Sequence, residues 1–271
     1  MATIHDRAEP RQLRALITGG SRGIGFEVAR HLADSGHRLW LCGKSDKVAA
    51  SARKLGPQVP FSQLDVADPK AVDDLFAEIR RTWADLDAVI HTAADLGPSG
   101  NFWEVRADGF ASTLQINTAG SFYVSRAFVR LWIENGQAET SPSRRGKIVL
   151  FAGGGAGYGY PRFLPYGTSK AAVVRMCETM AMELDDAGVP IDVNVIAPGA
   201  NETAMLAAVR AAGGEVRTVV PFSKPIALCD WLLSPSSDGV SGRFLHVNDP
   251  YQEIAPGKLR PEILKLRRVD L

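Results

Sequence analysis

The chain has 271 residues, enough to bury a large core, and 45% of them are apolar and 23% charged, an ordinary globular balance. A formal net charge of +1 gives no field favouring nucleic acid or an anionic membrane, and no stretch reaches the apolar length of a span. The cysteines Cys42, Cys177 and Cys229 lack paired or metal-site spacing, and the N-terminus MATIHDRAEPRQ lacks the apolar core of a signal peptide. The expectation is a cytoplasmic protein with buried thiols, no metal, and no nucleic-acid or membrane partner. The basic pairs Arg144-Arg145 and Arg267-Arg268 read as solvated surface.

In chain order, Leu13–Thr18 reads as a first strand, followed by a helix from Gly23 to Ser35 that Gly36 stops. Arg38–Cys42 and Val59–Leu64 are the second and third strands. Pro69–Trp83 carries Val72, Leu75, Phe76 and Ile79 at helical spacing. Leu86–Thr92 is a fourth strand, and two helices fill Val105–Asn135, broken near Asn117. Asn135–Arg145 reads as a surface loop. Lys147–Ala152 is a fifth strand, Tyr166–Asp186 a long helix, Ile191–Ile196 a sixth strand and Phe244–Val247 a short seventh. Apolar strands alternating with helices predict a single α/β domain over 1–271, a Rossmann fold: a doubly wound parallel sheet of about seven strands with helices on both faces. Its core runs from about 13 to 247 and is followed by a tail, 248–271.

The first strand runs into Thr18-Gly19-Gly20-Ser21-Arg22-Gly23-Ile24-Gly25. A glycine-rich turn between strand and helix lets backbone approach a pyrophosphate, and the helix N-terminus supplies N–H donors. The spacing is G-x-x-x-G-x-G. After the second strand an NAD site puts an acid, whereas a 2′-phosphate needs a cation. Here Cys42-Gly43-Lys44-Ser45 has no acid, and Arg22 is a second nearby cation, which favours NADP(H).

Tyr166-Gly-Thr-Ser-Lys170 opens the long helix, and residues four apart share a helix face. An ammonium beside a phenol lowers its pKa and suits it to giving or taking a proton. With TGGSRGIG (18–25), Asp65, Asn117, YGTSK (166–170), Pro198-Gly199 and Thr203, the sequence resembles the short-chain dehydrogenase/reductase family from about Leu13 to Val247. The resemblance implies Tyr166 as general acid/base, Lys170 as its activator and a ribose contact, and Asn117 as holder of a water linking Lys170 to solvent. It also implies cofactor contacts from the glycine turn (Gly19, Ser21, Arg22, Gly23, Ile24, Gly25) and from Lys44 and Ser45. Asp65 and Val66 fall at the adenine, Thr92, Ala93 and Ala94 beside the cofactor, and Pro198, Gly199 and Thr203 around the nicotinamide.

Three departures stand out. The family's serine, thirteen positions before the tyrosine, is Gly153, within Phe151-Ala152-Gly153-Gly154-Gly155-Ala156. Glycine cannot replace the hydroxyl, and the candidate substitutes are backbone N–H groups of this run, Tyr158, Tyr160 or a water. Where the family has N-N-A-G, this chain has His91-Thr92-Ala93-Ala94, similar to members acting on nucleotide sugars; His91 reads as a structural hydrogen-bonder near the cofactor. The family's glycine-rich D-G-G ending is replaced by His246-Val-Asn-Asp-Pro-Tyr251 and a Lys/Arg/Leu-rich tail, read as a cover for the cleft or a neighbouring subunit, or as a frayed end.

The substrate, a carbonyl compound or alcohol with a hint of sugar character, is expected to meet Gly153, Gly154, Tyr158, Tyr160 and Met205. Glu202–Ala212 reads as a short helix with Met205, Leu206 and Val209 on one side, and Gly213-Gly214 as a hinge that makes it a lid. Phe102, Trp103 and Phe163 join the two tyrosines in a partly apolar pocket. Phe122, Tyr123, Phe128, Leu131, Trp132 and Ile133 make one middle helix apolar nearly all round, and the resemblance implies a homodimer or homotetramer through the middle helices. The expected activity is reversible hydride transfer between NADP(H) and a ketone or secondary alcohol. The alternatives are an impaired NADP-binding sensor, which Gly153 motivates, and a sugar epimerase or dehydratase using the cofactor transiently.

Overall fold

In the computed structural model, which describes residues 12–136, 144–216 and 219–267, the apolar runs form seven strands. These are β1 (Arg14–Thr18), β2 (Arg38–Gly43), β3 (Phe61–Gln63), β4 (Ala88–His91), β5 (Gly146–Phe151), β6 (Ile191–Ala197) and β7 (Arg243–His246). All pair in parallel, in the order β3-β2-β1-β4-β5-β6-β7. The winding reverses between β1 and β4, where Thr18 lies opposite His91. In doubly wound sheets ligands bind at that switch point, beyond the carboxyl ends of the strands.

Eight α-helices complete the described fold: α1 (Gly23–Asp34), α2 (Lys47–Leu55), α3 (Pro69–Trp83), α4 (Ala107–Leu114), α5 (Gly120–Glu134), α6 (Leu164–Asp186), α7 (Ala204–Ala211) and α8 (Ser223–Leu233). One face of the sheet (Leu16, Val89, Ile148, Val193) is covered by α3, α5 and α6, with Phe128 and Trp132 fully buried. The other (Ile17, Ile90, Val149, Ile196) is covered by α1, α2 and α8. The central strands β1, β2, β4, β5 and β6 are buried on both faces, which is why most of them read as apolar runs rather than alternations, whereas the edge strand β3 (Phe-Ser-Gln) is largely exposed. Helix α3 starts where Asp68 accepts from the N–H groups of Lys70 and Ala71, with Pro69 in the first turn.

Helices α2 and α8 were not expected. The first, KVAASARKL, buries only Val48, Ser51 and Ala52, a stripe too thin to show in the pattern. The second carries a proline near its start and apolar residues on several sides. The helix expected to break near Asn117 runs on instead through a π turn (Gln115–Ala119) that joins α4 to α5. Arg144 and Arg145 are not solvated surface. Arg144 is about nine-tenths buried, pairs with Asp85 and Asp87, and lies over the Trp132 ring at 5.0 Å. Arg145 forks onto Asp192, which also receives Lys147 Nζ at 2.9 Å. These carboxylates stand at the amino ends of β4 and β6, so the fold rather than local sequence supplies the partners.

The described part of the tail, to residue 267, packs against β7 and α6. The Phe244 N–H donates to Leu264 O, covering the open edge of β7, and Arg243 Nη1 donates to the carbonyls of Arg260, Pro261 and Ile263. Buried Glu178 on α6 accepts from Leu266 N–H at 2.7 Å and Arg267 Nη1 at 2.9 Å, so Arg267 is also paired. Arg268 and the 137–143 part of the expected surface loop lie outside the described residues. All three cysteines are buried and unpaired. No helix among the described residues is long and apolar enough to cross a membrane. On α5, Phe128, Leu131 and Trp132 face the core, whereas Phe122 and Ile133 remain exposed.

Candidate active site

The glycine turn leaves β1 at the switch point and is pressed against the end of β4. Gly19 has φ +69°, and a Cβ there would lie 2.7 Å from Ala93 N and Thr92 Oγ1. A Cβ on Gly25 would lie 2.3 Å from Thr92 Oγ1, and that hydroxyl is itself fixed by donating to Thr18 O at 2.7 Å. A Cβ on Gly23, at φ +57°, would lie 3.3 Å from Thr203 Cγ2. Thr203 caps α7 by accepting from Leu206 N–H, and Gly199 (φ +67°) fits against Val220 after buried Pro198. These contacts leave no room for a side chain at Gly19 or Gly25, so the turn stays bare backbone at the N-terminus of α1, a cradle that fits a dinucleotide pyrophosphate.

Around the nucleotide end, Ser21, Gly23 and Ile24 are half-buried, Arg22 is exposed at the N-cap of α1, and Ser45 is exposed. Lys44 is not an open cation: its Nζ lies 2.8 Å from Asp65 Oδ2, and that bond raises its pKa. Burial alone would raise the Asp65 carboxyl, but bonds from Lys44 Nζ and Ala67 N–H outweigh it and hold it below the usual range. Two residues expected to contact the nucleotide separately thus contact each other. Val66 is buried, packed against Gly120 of α5. Ala93 and Ala94 are half-buried beyond β4.

At the other end of the crevice, Tyr166 is half-buried in the first turns of α6, and Lys170 is buried one turn on. Lys170 Nζ is 5.7 Å from the Tyr166 ring centroid and donates to Phe151 O at 2.8 Å. Burial, then nearby Tyr160, push the Tyr166 phenol up to about 12, while the ammonium faces the ring and the Phe151 carbonyl. Burial brings Lys170 down to about 8. His91 is a structural hydrogen-bonder: its Nδ1 lies 2.9 Å from Thr18 Oγ1, and burial followed by the Lys170 charge lowers it to about 3, so the ring is neutral.

Asn117 sits buried in the π turn. Its Nδ2 donates to Asp95 O and Ser169 Oγ, and its Oδ1 accepts from Asp95 N–H. Ser169 Oγ–H passes on to Tyr166 O at 2.7 Å. The amide therefore ties the segment after β4 to the helix that carries Tyr166 and Lys170. Ser169 and the Phe151 carbonyl escaped the sequence reading. Ser169 lies inside the YGTSK motif but has no spacing signal of its own, and a backbone carbonyl has none at all.

A Cβ on Gly153 would lie 3.2 Å from Tyr166 Oη, so residue 153 faces the phenol and offers it no side chain. The run continues through a short 3-10 turn (Gly154–Ala156). Tyr160 stacks on Phe163, centroids 4.9 Å apart, and Phe163 is fully buried. Tyr158 and Tyr160 line a groove of about 350 Å³ with Leu164, Gly167, Thr168 and Ala171 of α6. Phe102 and Trp103 do not join them in a pocket; they are about two-thirds exposed and meet each other edge to face.

Met205 is half-buried on α7. Gly213-Gly214 is a helix stop rather than a hinge: Gly214 N–H bonds Val209 O and Gly213 N–H bonds Arg210 O, with Gly213 at φ +71°. A Cβ on Gly214 would lie 2.6 Å from the Phe163 ring, which docks this end of α7 firmly. Among the described residues no group of His, Cys, Asp and Glu could hold a metal.

The profile of the short chain dehydrogenase family matches residues 14–213. The chain is 30% identical to a 2,3-dihydro-2,3-dihydroxybenzoate dehydrogenase of Bacillus subtilis, over 70% of each protein. It is 31% identical to a sorbitol dehydrogenase of Cereibacter sphaeroides, over 68% of this chain and 69% of that one. Among solved structures, a variant of actinorhodin polyketide ketoreductase with NADPH superposes with a TM-score of 0.77 at 26% identity, covering 87% of this chain and 95% of that one. The glycine cradle at the switch point, the tyrosine–lysine pair on α6 and this match over most of the chain agree: the protein belongs to the short-chain dehydrogenase family and has its oxidoreductase fold.

Proposed function

We propose that the chain is an NADP(H)-dependent oxidoreductase that interconverts a ketone and a secondary alcohol, with Tyr166 as general acid/base. The observation carrying this reading is the Tyr166–Lys170 pair, its hydroxyl against Gly153 and its ammonium 5.7 Å from the ring. When bound in the cradle, the reduced cofactor supplies the hydride. Tyr166 is protonated at neutral pH, as an acid must be, and hands its proton to the substrate oxygen as the alcohol forms. Lys170 stabilises the phenolate left behind. Asn117 and Ser169 hold the backbone on which both stand.

The preference for NADP(H) is supported by the lack of an acid after β2 and by exposed Arg22 and Lys44; a 2′-phosphate would compete with Asp65 for Lys44. The ketoreductase with NADPH points the same way. The sorbitol dehydrogenase and the His91-Thr92-Ala93-Ala94 sequence support a polyol- or sugar-like substrate. Exposed Phe122 and Ile133 on α5 and Leu164 and Met182 on α6 support a homo-oligomer formed on the face of these helices, and three buried thiols suit a cytoplasmic setting.

Fluorescence titration of NADPH and NADH tests the cofactor assignment. NADPH should bind at least tenfold more tightly, and Arg22→Ala should erase most of that margin; a preference for NADH overturns it. Tight NADPH binding without turnover of ketones or keto-sugars would favour a sensor, the reading Gly153 motivates.

A further inference from the structure

The geometry points to the Tyr160 phenol as the second donor to the substrate oxygen, replacing the hydroxyl that Gly153 lacks; this rests on the reductase reading above. Residue 153 faces the reacting phenol, with its Cβ position 3.2 Å from Tyr166 Oη, and has nothing to donate. Two residues on, the same glycine run has a second effect. A Cβ on Gly155 would lie 3.1 Å from Tyr160 Cδ1 and 3.2 Å from its Cβ, so only a glycine leaves the ring its full room. Gly167, on the helix that carries Tyr166, lies next to the same side chain, its Cβ position 3.6 Å from Tyr160 Cβ.

The ring is then held in place by its stack on Phe163, at 4.9 Å and 28°. Phe163 is itself fixed by Gly214 and Val209 at the end of α7. Removing the hydroxyl at 153 and seating a phenol at 160 are thus two consequences of one run of small residues. A seated aromatic side chain also loses little freedom on meeting a ligand.

Three observations suit Tyr160 to this part. Among the described residues neither phenol is engaged in a hydrogen bond, so each O–H can meet a ligand, and Tyr160 lines the groove along α6 that starts from the same glycine run. They are near enough that Tyr160 contributes to the high pKa of Tyr166. Burial, then Tyr158 and Glu215, raise the pKa of Tyr160, so it remains a donor at any physiological pH. In the step itself, the carbonyl carbon gains a hydride from the reduced nicotinamide and its oxygen gains the Tyr166 proton. Tyr160 donates a hydrogen bond and keeps its own proton. One donor aimed at a developing oxyanion is worth about 10²–10³ in rate.

The test compares wild type, Tyr160→Phe, Gly153→Ser and the double variant, with phenanthrenequinone, α-tetralone and ethyl acetoacetate as ketone probes and NADPH as reductant. Tyr160→Phe keeps the ring and its stack, so NADPH affinity and melting temperature should hold while kcat falls about 10²–10³-fold with little change in KM. Gly153→Ser alone should change kcat less than tenfold, and in the Tyr160→Phe background it should restore tenfold or more. Wild-type kcat in Tyr160→Phe overturns the inference, as does a loss that the serine does not rescue. Tyr166→Phe, run alongside, separates the two claims. If wild type turns over no probe, or Tyr166→Phe still turns over, the reductase reading fails and this inference with it. A Tyr160→Phe at full rate beside a dead Tyr166→Phe removes this inference alone.

Discussion

Replacing Lys170 with Met should stabilise the protein while removing its chemistry. The lysine is 3% exposed, its ammonium has one hydrogen bond, to Phe151 O at 2.8 Å, and burial lowers its pKa from 10.5 to about 8. In the unfolded chain the amine keeps its ordinary pKa, so below pH 8 both states carry the proton and the folded state is the poorer host for it. The fall from 10.5 to about 8 corresponds to roughly 3 kcal/mol of lost stability below pH 8. Losing the bond to Phe151 O offsets about 1–2 kcal/mol of the relief, and Met conserves much of the volume. The net gain at pH 7 is about 1–2 kcal/mol, or roughly 2–8 °C in melting temperature for a chain of this size.

The pH signature separates this from general repacking. Between pH 8 and 10.5 the native lysine sheds its proton before the unfolded one does, so the wild type gains on the variant, the difference closes at about pH 9–10 and the wild type is the more stable above it. Urea or thermal unfolding of both proteins at pH 7 and pH 10 measures it. A variant no more stable than wild type at pH 7, or an advantage unchanged at pH 10, refutes the reasoning.

Two further outcomes follow from the geometry. Gly19→Ala forces an L side chain into φ +69° with its Cβ 2.7 Å from Ala93 N, a strain of about 1–2 kcal/mol before the clash is counted. The total should reach roughly 3 kcal/mol, lower the melting temperature by about 6–12 °C and abolish NADPH-induced stabilisation, read by differential scanning fluorimetry. Glu178→Ala removes the buried acceptor of Leu266 N–H and Arg267. It should cost about 2–4 kcal/mol and open Lys265 and Arg267 to trypsin; a tail equally resistant in both proteins would show that the carboxylate does not anchor it.

Much of the fold was legible because buried parallel strands leave a simple mark, an apolar run beside an amphipathic helix. The cradle was legible too, since Gly19, Gly23 and Gly25 are required by backbone approach and left-handed φ. What escaped depends on partners distant in sequence. Arg144 and Arg145 look like surface until β4 and β6 bring Asp85, Asp87 and Asp192 to them. The Lys44–Asp65 bond joins the ends of β2 and β3 and changes what an apparent phosphate-binding lysine must give up. The π turn at Asn117 has no composition signal, and Gly213-Gly214 has the composition of a hinge but the bonding of a stop. The spacing of Tyr166 and Lys170 is visible in the sequence, yet burial, which is not, shifts the pKa of both.

The most direct test of the central claim is the initial rate of NADPH oxidation with the ketone probes, wild type against Tyr166→Phe, with NADPH binding measured in parallel. The account predicts turnover by the wild type and a loss of at least 10³-fold in a variant that still binds NADPH. Undiminished turnover in Tyr166→Phe, or a wild type that binds NADPH and reduces no probe, would contradict it.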